Sequence, residues 1–379
     1  MIPLRIAYVR SSLHKGSGML NHIVEIAQRV KQAKNEVAII SREAEVQPRG
    51  IPVYTLTFTG DNMHFFRNLI FPAKSLKVLD KFDIVHTQYH PDIFVGNVAA
   101  QVLKKPHIFT YHGFAPIAAW NNVRQRLKMI DHRIGTFAAL RSKVDKIITV
   151  SHFLKKELVE KYFVDEKKVK VIYNGVDTTR FNPQIKGNGL REFFRIGNHP
   201  VVLYVGRLAP YKGVQFLIQA IPKVLKEVPK TKFLIGGAKR YDVPDLGKLV
   251  KNLKIRHAVI FTKYVPDEDV PKLYACCDVF CYPSLWEGFG LTPAEAQACG
   301  KPVVAFNTCA IPEVVKNQRT GLLVETGNVE ALATALVNLL QDENKRHKMG
   351  IDARRRVLKL FSWDEAAEKT LQIYNEMIE

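Results

Sequence analysis

Short runs rich in valine and isoleucine alternate with stretches of helical periodicity along the chain. This alternation is typical of β-α-β units, in which helices join parallel strands. We predict an α/β protein with about six strands in each half. The predicted strands are residues 5–9, 36–40, 83–87, 107–111, 146–150 and 170–173, then 201–205, 232–235, 259–262, 279–282, 302–306 and 321–324.

The pattern lapses between residues 181 and 199, where Asn-Pro, Gly-Asn-Gly and Gly-Asn-His-Pro runs are typical of a connection. We predict a Rossmann-like domain over 1–180, a linker over 181–199 and a second Rossmann-like domain over 200–361. The helix expected over 362–379 would pack back on the first domain. Two doubly wound sheets facing each other would form a central cleft, with ligands beyond the carboxyl ends of the strands.

Length and composition fit an ordered, enzyme-sized protein. The chain has 379 residues, 47% of them hydrophobic, and no run approaches 18 uninterrupted apolar residues. Its first ten residues show neither a basic leader nor a cleavage site, so we expect a cytoplasmic protein. Five cysteines, an odd number in or beside predicted core elements, argue against a disulfide framework and fit a reducing compartment.

The charge is unusual, because 56 lysines and arginines stand against 36 acidic residues, a balance of +20. Residues 1–180 carry 28 basic and 15 acidic side chains, or +13, and the remainder carries 28 and 21, or +7. Such a surface favours nucleic acid, an anionic lipid surface or a phosphorylated substrate. An ordinary solvated surface that promotes solubility is the equal alternative.

A basic amphipathic helix is predicted within residues 119–141. It either packs its apolar stripe on the first sheet or contacts an anionic membrane peripherally, and both hold if only its basic edge meets lipid. The apolar residues at steps of three and four are Trp120, Val123, Leu127, Ile130, Ile134 and Phe137, interspersed with Arg124, Arg126, Lys128, Arg133 and Arg141.

Two cations follow the strand predicted at 201–205. Arg207 comes directly after Gly206, and Lys212 precedes Gly213 just before a helix. An arginine fork can hold two phosphate oxygens while a lysine acts as a point charge, so this loop suits a diphosphate. A solvated loop is the alternative interpretation.

The longest motif leaves the fourth strand of the second half, passes through a glycine-containing loop and opens a helix. We predict Thr292 as its N-cap, Pro293 as the first helical residue and Glu295 as part of a capping box. The N–H groups of Gly290, Leu291 and Thr292 would then form an anion site. Glu295 either completes the capping box or accepts hydrogen bonds from ribose hydroxyls.

Glu287 and Glu295 are separated by seven residues, with Gly-Phe-Gly-Leu between them and Arg207 and Lys212 upstream. This arrangement resembles the family 4 glycosyltransferases of GT-B fold, which include sucrose and phosphatidylinositol mannosyl-type enzymes. The resemblance spans nearly the whole chain. Further matches are Gly16-Ser17-Gly18, Thr110-Tyr111-His112-Gly113, Val150-Ser151, Val171-Ile172-Tyr173-Asn174-Gly175-Val176-Asp177, Ile235-Gly236-Gly237, Ile311-Pro312-Glu313, Thr320-Gly321-Leu322 and Phe361-Ser362-Trp363.

The resemblance implies a retaining hexosyltransferase that moves a sugar from a nucleotide diphosphate sugar to an acceptor. The acceptor is lipid-linked, phosphorylated or a glycan. Arg207 and Lys212 would bind the donor diphosphate, Glu295 the ribose, and Glu287 the sugar near its anomeric bond. The departing phosphate would take the acceptor proton, so no dedicated protein base and no cofactor is expected.

In the first half, the resemblance implies that His112 touches the transferred sugar. Gly16 and Gly18 would bring their backbone close to the donor phosphate. A histidine that only satisfies its own loop is the alternative interpretation of His112.

Two positions depart from the family pattern. Cys309-Ala310 stands where the family usually has a small, glycine-rich pair, and Lys263 occupies a usual glycine position near the expected base pocket. The first departure could alter contacts to the sugar, and the second bears on the choice of nucleotide.

We predict that no metal is needed. The Asp267-Glu268-Asp269 run follows Pro266 at a helix start, where acidic residues favour the helix dipole. Cationic side chains and a helix terminus can supply the charge that a metal would bring. The cysteines Cys276, Cys277 and Cys281 have no partner pair at ligand spacing.

Two other functions remain open from the sequence. A sugar-nucleotide epimerase can share the same architecture, and a non-catalytic polyanion binder would explain the charge. No nucleic-acid partner is expected, because a recognition helix, an aromatic-rich basic strand and an arginine-rich tail are all lacking.

Overall fold

The computed structural model describes residues 3–14, 18–56, 64–238 and 245–379. Strands and helices alternate along it. The strands are β1 (Arg5–Val9), β2 (Ser12–Leu13), β3 (Glu36–Ser41), β4 (Glu43–Ala44), β5 (Val53–Thr55), β6 (Ile84–Thr87), β7 (His107–Tyr111), β8 (Lys146–Thr149), β9 (Val169–Val171), β10 (Val201–Val205), β11 (Lys232–Gly236), β12 (Val259–Lys263), β13 (Val279–Tyr282), β14 (Val303–Phe306) and β15 (Gly321–Val324). The helices are α1 (Gly18–Gln32), α2 (His64–Leu79), α3 (Asp92–Val102), α4 (Val123–Leu140), α5 (His152–Tyr162), α6 (Asn188–Phe193), α7 (Val214–Glu227), α8 (Leu246–Asn252), α9 (Val270–Cys276), α10 (Leu291–Ala298), α11 (Ile311–Val314), α12 (Val329–Gln341), α13 (Glu343–Leu360) and α14 (Trp363–Glu376).

The first large sheet has the order β5-β3-β1-β6-β7-β8-β9, and its strands are parallel. The chain reverses direction across the sheet between β1 and β6, which is the topological switch point of a doubly wound fold. Edge strand β5 is not among the predicted strands, because its three residues are only partly apolar and lie in an exposed to half-buried position. The strands β2 and β4 form a separate small pair.

The second large sheet has the order β12-β11-β10-β13-β14-β15, again with parallel strands. This is the order of a Rossmann fold, with the switch point between β10 and β13. Every residue of these two strands is buried. Continuous apolar runs of this kind are what a parallel sheet covered on both faces requires, so the two-sheet α/β prediction is confirmed.

Residue contacts divide the chain into two compact units. The first comprises Met1–Phe114, Lys128–Gly175 and Trp363–Glu379, and the second comprises Ala115–Leu127 and Val176–Ser362. This division differs from the predicted boundaries, because residues 115–127, residues 176–180 and the predicted linker 181–199 all belong to the second unit.

The predicted linker is ordered structure within the second unit. A Cβ on Gly187 would stand 2.4 Å from the backbone nitrogen of Cys276, so the glycine permits close packing on α9. Arg191 of α6 donates hydrogen bonds to the carboxylate of Asp278 at 3.1 Å and to the carbonyl of His199 at 3.0 Å. Close approach of backbone segments therefore explains Gly187, whereas a Cβ on Gly189 or Gly197 would meet nothing within 4 Å.

Candidate functional site

A buried ion pair lies at the switch point of the second sheet. Lys212 follows β10, Glu287 follows β13, and each is only 8% exposed. The Nζ atom of Lys212 lies 2.6 Å from Oε1 of Glu287. Burial lowers the pKa of Lys212 below its ordinary value, although the adjacent carboxylate acts in the opposite direction.

Two hydroxyl groups complete this cluster. Tyr282 and Ser284 each donate a hydrogen bond to Oε1 of Glu287 at 2.7 Å, and Nζ of Lys212 donates to the Tyr282 hydroxyl at 2.8 Å. All these bonds to the carboxylate converge on one oxygen. The sequence motif contains both hydroxyl residues, but the spacing alone assigns them no role, because the contacts depend on how the loop folds back.

Gly213 explains why the two loops approach so closely. Its φ is +68°, and a Cβ there would lie 1.8 Å from the carbonyl oxygen of Pro283. The neighbouring Leu285 N–H donates to the carbonyl of Tyr211 at 2.7 Å, which ties the loop after β13 to the loop after β10. A side chain at position 213 would therefore push the Lys212 loop away from Glu287.

Arg207 stands in the same loop as Lys212 but is exposed. Its Nη2 donates a 3.3 Å hydrogen bond to the Tyr211 hydroxyl, and its positive charge contributes to the lowered pKa of Lys212. The structure therefore brings together the two cations that the sequence proposed for a diphosphate, one buried and one on the surface.

The start of α10 differs from the predicted capping box. The helix begins at Leu291, and Gly290, with φ of +112°, is its N-cap. Thr292 and Pro293 are therefore the second and third helical residues. The N–H groups of Leu291 and Thr292 lie in the first turn, whose amides have no partner within a helix, so an anion can still be held there.

Glu295 does not cap the helix. Its Oε2 accepts a 2.9 Å hydrogen bond from the Tyr274 hydroxyl. Burial raises the pKa of Glu295 to about 7. The capping-box interpretation of Glu295 is wrong, because a glycine with positive φ starts the helix two residues earlier than the sequence pattern indicated.

A pocket of about 250 Å³ opens beside the carboxyl ends of β10, β11 and β12. Lys263 lines it, as the sequence placed this residue near a base pocket. The pocket is small and partly aromatic, which suits a planar ring. Its lining residues are Leu208, Ile235, Gly237, Ala238, Phe261, Lys263 and Tyr264.

Both departures from the family pattern keep a glycine-like backbone. Lys263 has φ of +59° and Cys309 has φ of +51°. These values lie in the left-handed region that glycine adopts without steric cost, so the chain keeps the conformation although the residue has changed. The Cys309 thiol lies 3.3 Å from Oγ1 of Thr308.

A larger cavity of about 540 Å³ lies elsewhere in the second unit. It is lined by Thr178, Thr179, Asn182, Pro183, Gln184 and Arg354, none of which belongs to the ion-pair cluster. Arg354 donates to the carbonyls of Thr178, Phe181 and Ala298, so this arginine serves to hold the chain together. We therefore take the cluster of Lys212 and Glu287 as the candidate site.

In the first unit, the half-buried His112 follows β7 and belongs to a chain of hydrogen bonds that runs into the buried interior. Its Nε2 lies 3.0 Å from Oε1 of Gln88, and Nε2 of Gln88 lies 3.2 Å from Nε2 of His86. The Nδ1 of His86 lies 2.6 Å from the Tyr374 hydroxyl, which donates to Tyr8 at 3.0 Å. The Gln88 amide fixes the direction of these hydrogen bonds, because its oxygen can only accept and its nitrogen can only donate. Nε2 of His112 therefore donates to the amide oxygen, which leaves Nδ1 of His112 as an acceptor.

The imidazoles in this region are neutral. Burial lowers the pKa of His112 and of His86 well below the usual value for histidine, and it lowers the pKa of His22 to about 4. His22 packs edge-on against His112, with ring centroids 5.0 Å apart. The sequence identified His112 but not its partners, because they lie on β6, α1 and the C-terminal helix.

Of the two glycines proposed to lie near the donor phosphate, Gly18 and Gly16, the structure describes Gly18. Gly18 is the exposed first residue of α1. Gly16 lies outside the described residues.

Potential metal ligands lie away from the ion-pair cluster. Asp267-Glu268-Asp269 forms a short 3-10 turn in which Asp269 pairs with Lys272 at 2.7 Å. Within the described ranges, one group of three ligand atoms lies within 4.8 Å, contributed by His90, Asp131 and His132. Burial lowers the pKa of His132 to about 3, and His90, Lys128 and Arg10 act in the same direction. The positive charge of Lys128 and Arg10 also opposes a cation, so we assign no metal to this group. The five cysteines are free thiols.

The basic amphipathic segment contains a shorter helix than predicted. Helix α4 begins at Val123, and Trp120 lies before it, buried against the ring of Tyr211 at 5.3 Å between centroids. Arg133 donates to the carbonyl of Phe114 at 2.8 Å and pairs with Glu157, so its charge is part of the local structure. The residues of the predicted apolar stripe that lie on α4 are exposed, namely Val123, Leu127, Ile130, Ile134 and Phe137. This contradicts the interpretation that the stripe packs on the first sheet. No helix in the described ranges is both long and apolar enough to cross a membrane.

Known families account for both halves of the chain. The profile described as "Glycosyltransferase Family 4" matches residues 16–180, and the profile "Glycosyl transferases group 1" matches residues 190–356. The α-maltose-1-phosphate synthase of Mycolicibacterium smegmatis is 30% identical over 314 residues, covering 78% of this chain and 79% of that protein. Spore coat protein SA of Bacillus subtilis is 31% identical over 309 residues, again covering 78% and 79%.

The fold also has solved counterparts. The crystal structure of HepE from Anabaena in complex with UDP and glucose superposes with a TM-score of 0.85 at 22% identity, covering 98% of this chain and 100% of that one. At this identity the likeness concerns the fold, which is GT-B. With both profiles matched in order and relatives of known class aligned over most of their length, the chain belongs to glycosyltransferase family 4 and is a glycosyltransferase that uses a nucleotide sugar.

Proposed function

We propose that this protein is a retaining glycosyltransferase in which the second unit binds a nucleotide diphosphate sugar. The observation that carries the proposal is the buried pair of Lys212 and Glu287 at the switch point of the second sheet, 2.6 Å apart. A buried charge pair needs a reason to exist, because apolar residues would pack there at no greater cost. Binding an anionic leaving group beside a polar sugar is such a reason.

The diphosphate would lie between the two cations and the start of α10. Arg207 is exposed and can close on phosphate oxygens as a fork, while Lys212 is held in place by Glu287 and Tyr282. The first-turn amides of Leu291 and Thr292 add donors and the positive end of a helix dipole. These groups would act most strongly when the glycosidic bond breaks and negative charge builds on the phosphate.

Glu287 would position the transferred sugar. Three donors hold its Oε1, so the carboxylate is fixed in orientation and can accept hydroxyl hydrogens of the sugar through its other oxygen. A pre-oriented carboxylate beside the anomeric bond lowers the cost of arranging the donor for reaction.

The nucleoside would occupy the pocket that contains Lys263, with its ribose bound by Glu295. HepE was crystallised with UDP and glucose, which makes UDP-glucose a first donor to test. The carboxylate form of Glu295 can accept two ribose hydroxyl hydrogens, so we expect donor binding to favour the ionised carboxylate.

Retention of anomeric configuration would follow from attack on the face that the leaving group departs from. The departing phosphate oxygen takes the proton of the acceptor hydroxyl, so the protein needs no separate base. His112 is neutral, and its Nδ1 can accept a hydrogen bond from a sugar hydroxyl. The reaction uses no metal and no cofactor in this proposal.

The acceptor would be lipid-linked or otherwise anionic, reached by a peripheral contact with the cytoplasmic face of an anionic membrane. The support is the balance of +13 in residues 1–180, since basic side chains concentrate a protein at an anionic surface. A soluble phosphorylated or glycan acceptor is the alternative that the same charge would serve.

A donor panel tests the proposal. Purified protein is mixed with UDP-, GDP- and ADP-sugars, and thermal shift identifies the nucleotide, because a ligand of the native state raises the melting temperature. Release of nucleoside diphosphate is then measured with and without candidate acceptors, and the anomeric proton coupling of the product reports its stereochemistry. An inverted product would contradict the retaining mechanism.

The alternatives give different results in the same assay. An epimerase would convert the donor sugar without an acceptor, and a polyanion binder would show no thermal shift with any sugar nucleotide. Arg207→Ala tests the diphosphate site directly, since Arg207 is exposed and its loss should lower turnover without unfolding the protein.

A further inference from the structure

Helix α4 carries its large apolar side chains on an exposed face. Ile134 is 64% exposed, and Ile130 and Phe137 are each 38% exposed. The helix turns a different set of side chains into the first unit. That buried set is Met129, His132, Thr136 and Ala139. The orientation is the reverse of an ordinary surface helix, whose apolar stripe faces the core.

Helical geometry makes these exposed residues one continuous stripe. Ile130, Ile134 and Phe137 follow each other at steps of four and three, which places them on one face. Val123 and Leu127 precede them at the same steps and are 68% and 60% exposed. An apolar stripe of this length on a protein surface indicates a contact with an apolar partner.

Cations border the stripe. Lys128 is exposed on one side, with Arg124 one turn before it. Arg141 lies one turn beyond Phe137, and its guanidinium stands over that ring, 3.4 Å from the centroid. Asp131 is the single acidic residue within residues 123–141, against five basic ones. The border is therefore strongly positive.

We propose that the surface formed by Lys128, Ile130, Ile134, Phe137 and Arg141, called the α4 surface, docks on an anionic lipid bilayer. The apolar stripe enters the boundary between headgroups and acyl chains, and the cations stay at the level of the anionic headgroups. An amphipathic helix lying in the interface combines these two interactions. The inference deepens the proposed function by naming where a membrane-held acceptor is met.

Charge and chemistry favour a bilayer over other partners. A second copy of this chain would bring the same cations together, and like charges across an interface oppose association. Nucleic acid would use the cations but leave the apolar stripe without a partner, because phosphate contacts supply most of that affinity. An anionic bilayer offers both an apolar interior and negative charge.

Vesicle sedimentation tests the α4 surface. The wild-type protein is mixed with vesicles of phosphatidylglycerol or of phosphatidylcholine, at low salt and at about 0.5 M salt. The higher concentration is roughly three times physiological ionic strength and screens the attraction between charges. We expect binding to phosphatidylglycerol at least about tenfold stronger than to phosphatidylcholine, and a marked loss at high salt.

Variants separate the two contributions. Ile134→Glu should lower the partition coefficient about tenfold or more, because it removes an inserted side chain and adds repulsion. Ile351→Glu is the matched control, since Ile351 is 48% exposed on α13, and it should leave binding within about twofold. Lys128→Glu should weaken binding and Lys128→Arg should not.

Three outcomes overturn the inference. The first is that wild-type protein does not bind phosphatidylglycerol vesicles at low salt. The second is that Ile134→Glu protein binds them as well as the Ile351→Glu control does. Self-association without lipid that Ile134→Glu abolishes would assign the stripe to a second copy. Binding of UDP-, GDP- and ADP-sugars is measured on the same samples, so failure of the donor site is seen independently of failure at the membrane.

Discussion

The groups proposed to act at the carboxyl ends of the two large sheets differ in charge. Beyond the second sheet, Lys212 and Glu287 form a buried ion pair with Arg207 in the same region. Beyond the first sheet, the half-buried His112 and the buried His86 are uncharged rings joined through the amide of Gln88. The first sheet also has a buried ion pair at its carboxyl end, between Arg10 and Asp92 at 3.0 Å, so the contrast lies in the uncharged histidines and not in an absence of charge.

The difference teaches what each region is suited to hold. Fixed positive charge stabilises an anion that forms during a reaction, whereas neutral donors and acceptors select among hydroxyl groups without adding net charge. Under the proposed function, the second region serves the departing diphosphate and the first serves the sugar. The predictions below change one region at a time.

The largest effect is expected at Lys212. Lys212→Ala and Arg207→Ala should each lower turnover about 10²- to 10³-fold, because the charge on the leaving phosphate is greatest in the transition state. Steady-state release of nucleoside diphosphate measures the loss. Near-normal turnover in either variant would rule out a diphosphate site in this loop.

Stability separates the two variants. Lys212→Ala leaves Glu287 buried without its cation and should cost about 3 to 5 kcal/mol of unfolding free energy, whereas Arg207 is exposed and its loss should cost little. Urea unfolding of both proteins measures this. The double variant Lys212→Met with Glu287→Gln should regain stability but not turnover. That result would show that folding requires only that no buried charge is left unpaired, whereas turnover requires the charges themselves.

A smaller effect is expected at His112. His112→Ala should lower kcat about tenfold to a hundredfold through loss of a hydrogen bond to the sugar, while the affinity for nucleoside diphosphate is unchanged. Because burial keeps the pKa of His112 well below its usual value, kcat should show no titration of this ring between about pH 5.5 and 8. If kcat falls on the acid side near the ordinary histidine pKa, and His112→Asn removes this fall, then His112 titrates there and is not the neutral ring proposed here.

The pH dependence of donor affinity tests Glu295. Its pKa is raised to about 7, so the carboxylate forms only above that pH, and affinity for a sugar nucleotide should fall as pH drops below 7. Calorimetric titration with a sugar nucleotide, whose diphosphate diester does not titrate here, measures the change. In Glu295→Gln protein the affinity should be weaker and independent of pH.

The ionisation of Glu295 should also make the unfolding free energy depend on pH, in the opposite direction to donor affinity. A carboxyl whose pKa is raised in the folded protein binds its proton more tightly there than in the unfolded chain. The unfolding free energy contributed by Glu295 is therefore greatest below its unfolded pKa and falls as pH rises toward 7. Glu295→Gln protein should lack this slope, and an unchanged slope would place the titration on another group.

The smallest effect is expected from Tyr374 on the C-terminal helix. Tyr374→Phe removes the hydroxyl that accepts a hydrogen bond from Nδ1 of His86. The chain of hydrogen bonds then favours less strongly the tautomer in which Nδ1 of His112 is an acceptor, so kcat should fall a few-fold. Nitrogen chemical shifts of His112 would report the tautomer directly. Tyr8→Phe, which removes only the last acceptor of the chain, should have a smaller effect.

Sequence alone was sufficient for the sheets and for the order of the motifs. Runs such as Val201–Val205 are apolar over their whole length, because strands of a parallel sheet are buried on both faces, and this requirement is local to each run. The loops that follow them carry Arg207, Lys212 and Glu287, so topology directs these residues to one end of the sheet. A strand as short as β5 carries too little of this signal to be recognised.

Tertiary structure decided which atoms meet and which surfaces remain exposed. Lys212 and Glu287 are 75 positions apart, and Tyr374 joins His86 from 288 positions away, so no local pattern encodes either contact. The start of α10 depends on the positive φ of Gly290, and the predicted capping box failed for that reason. The exposed stripe of α4 has the same periodicity as a packed one, because periodicity defines two faces of a helix, whereas the rest of the fold determines which of them is buried.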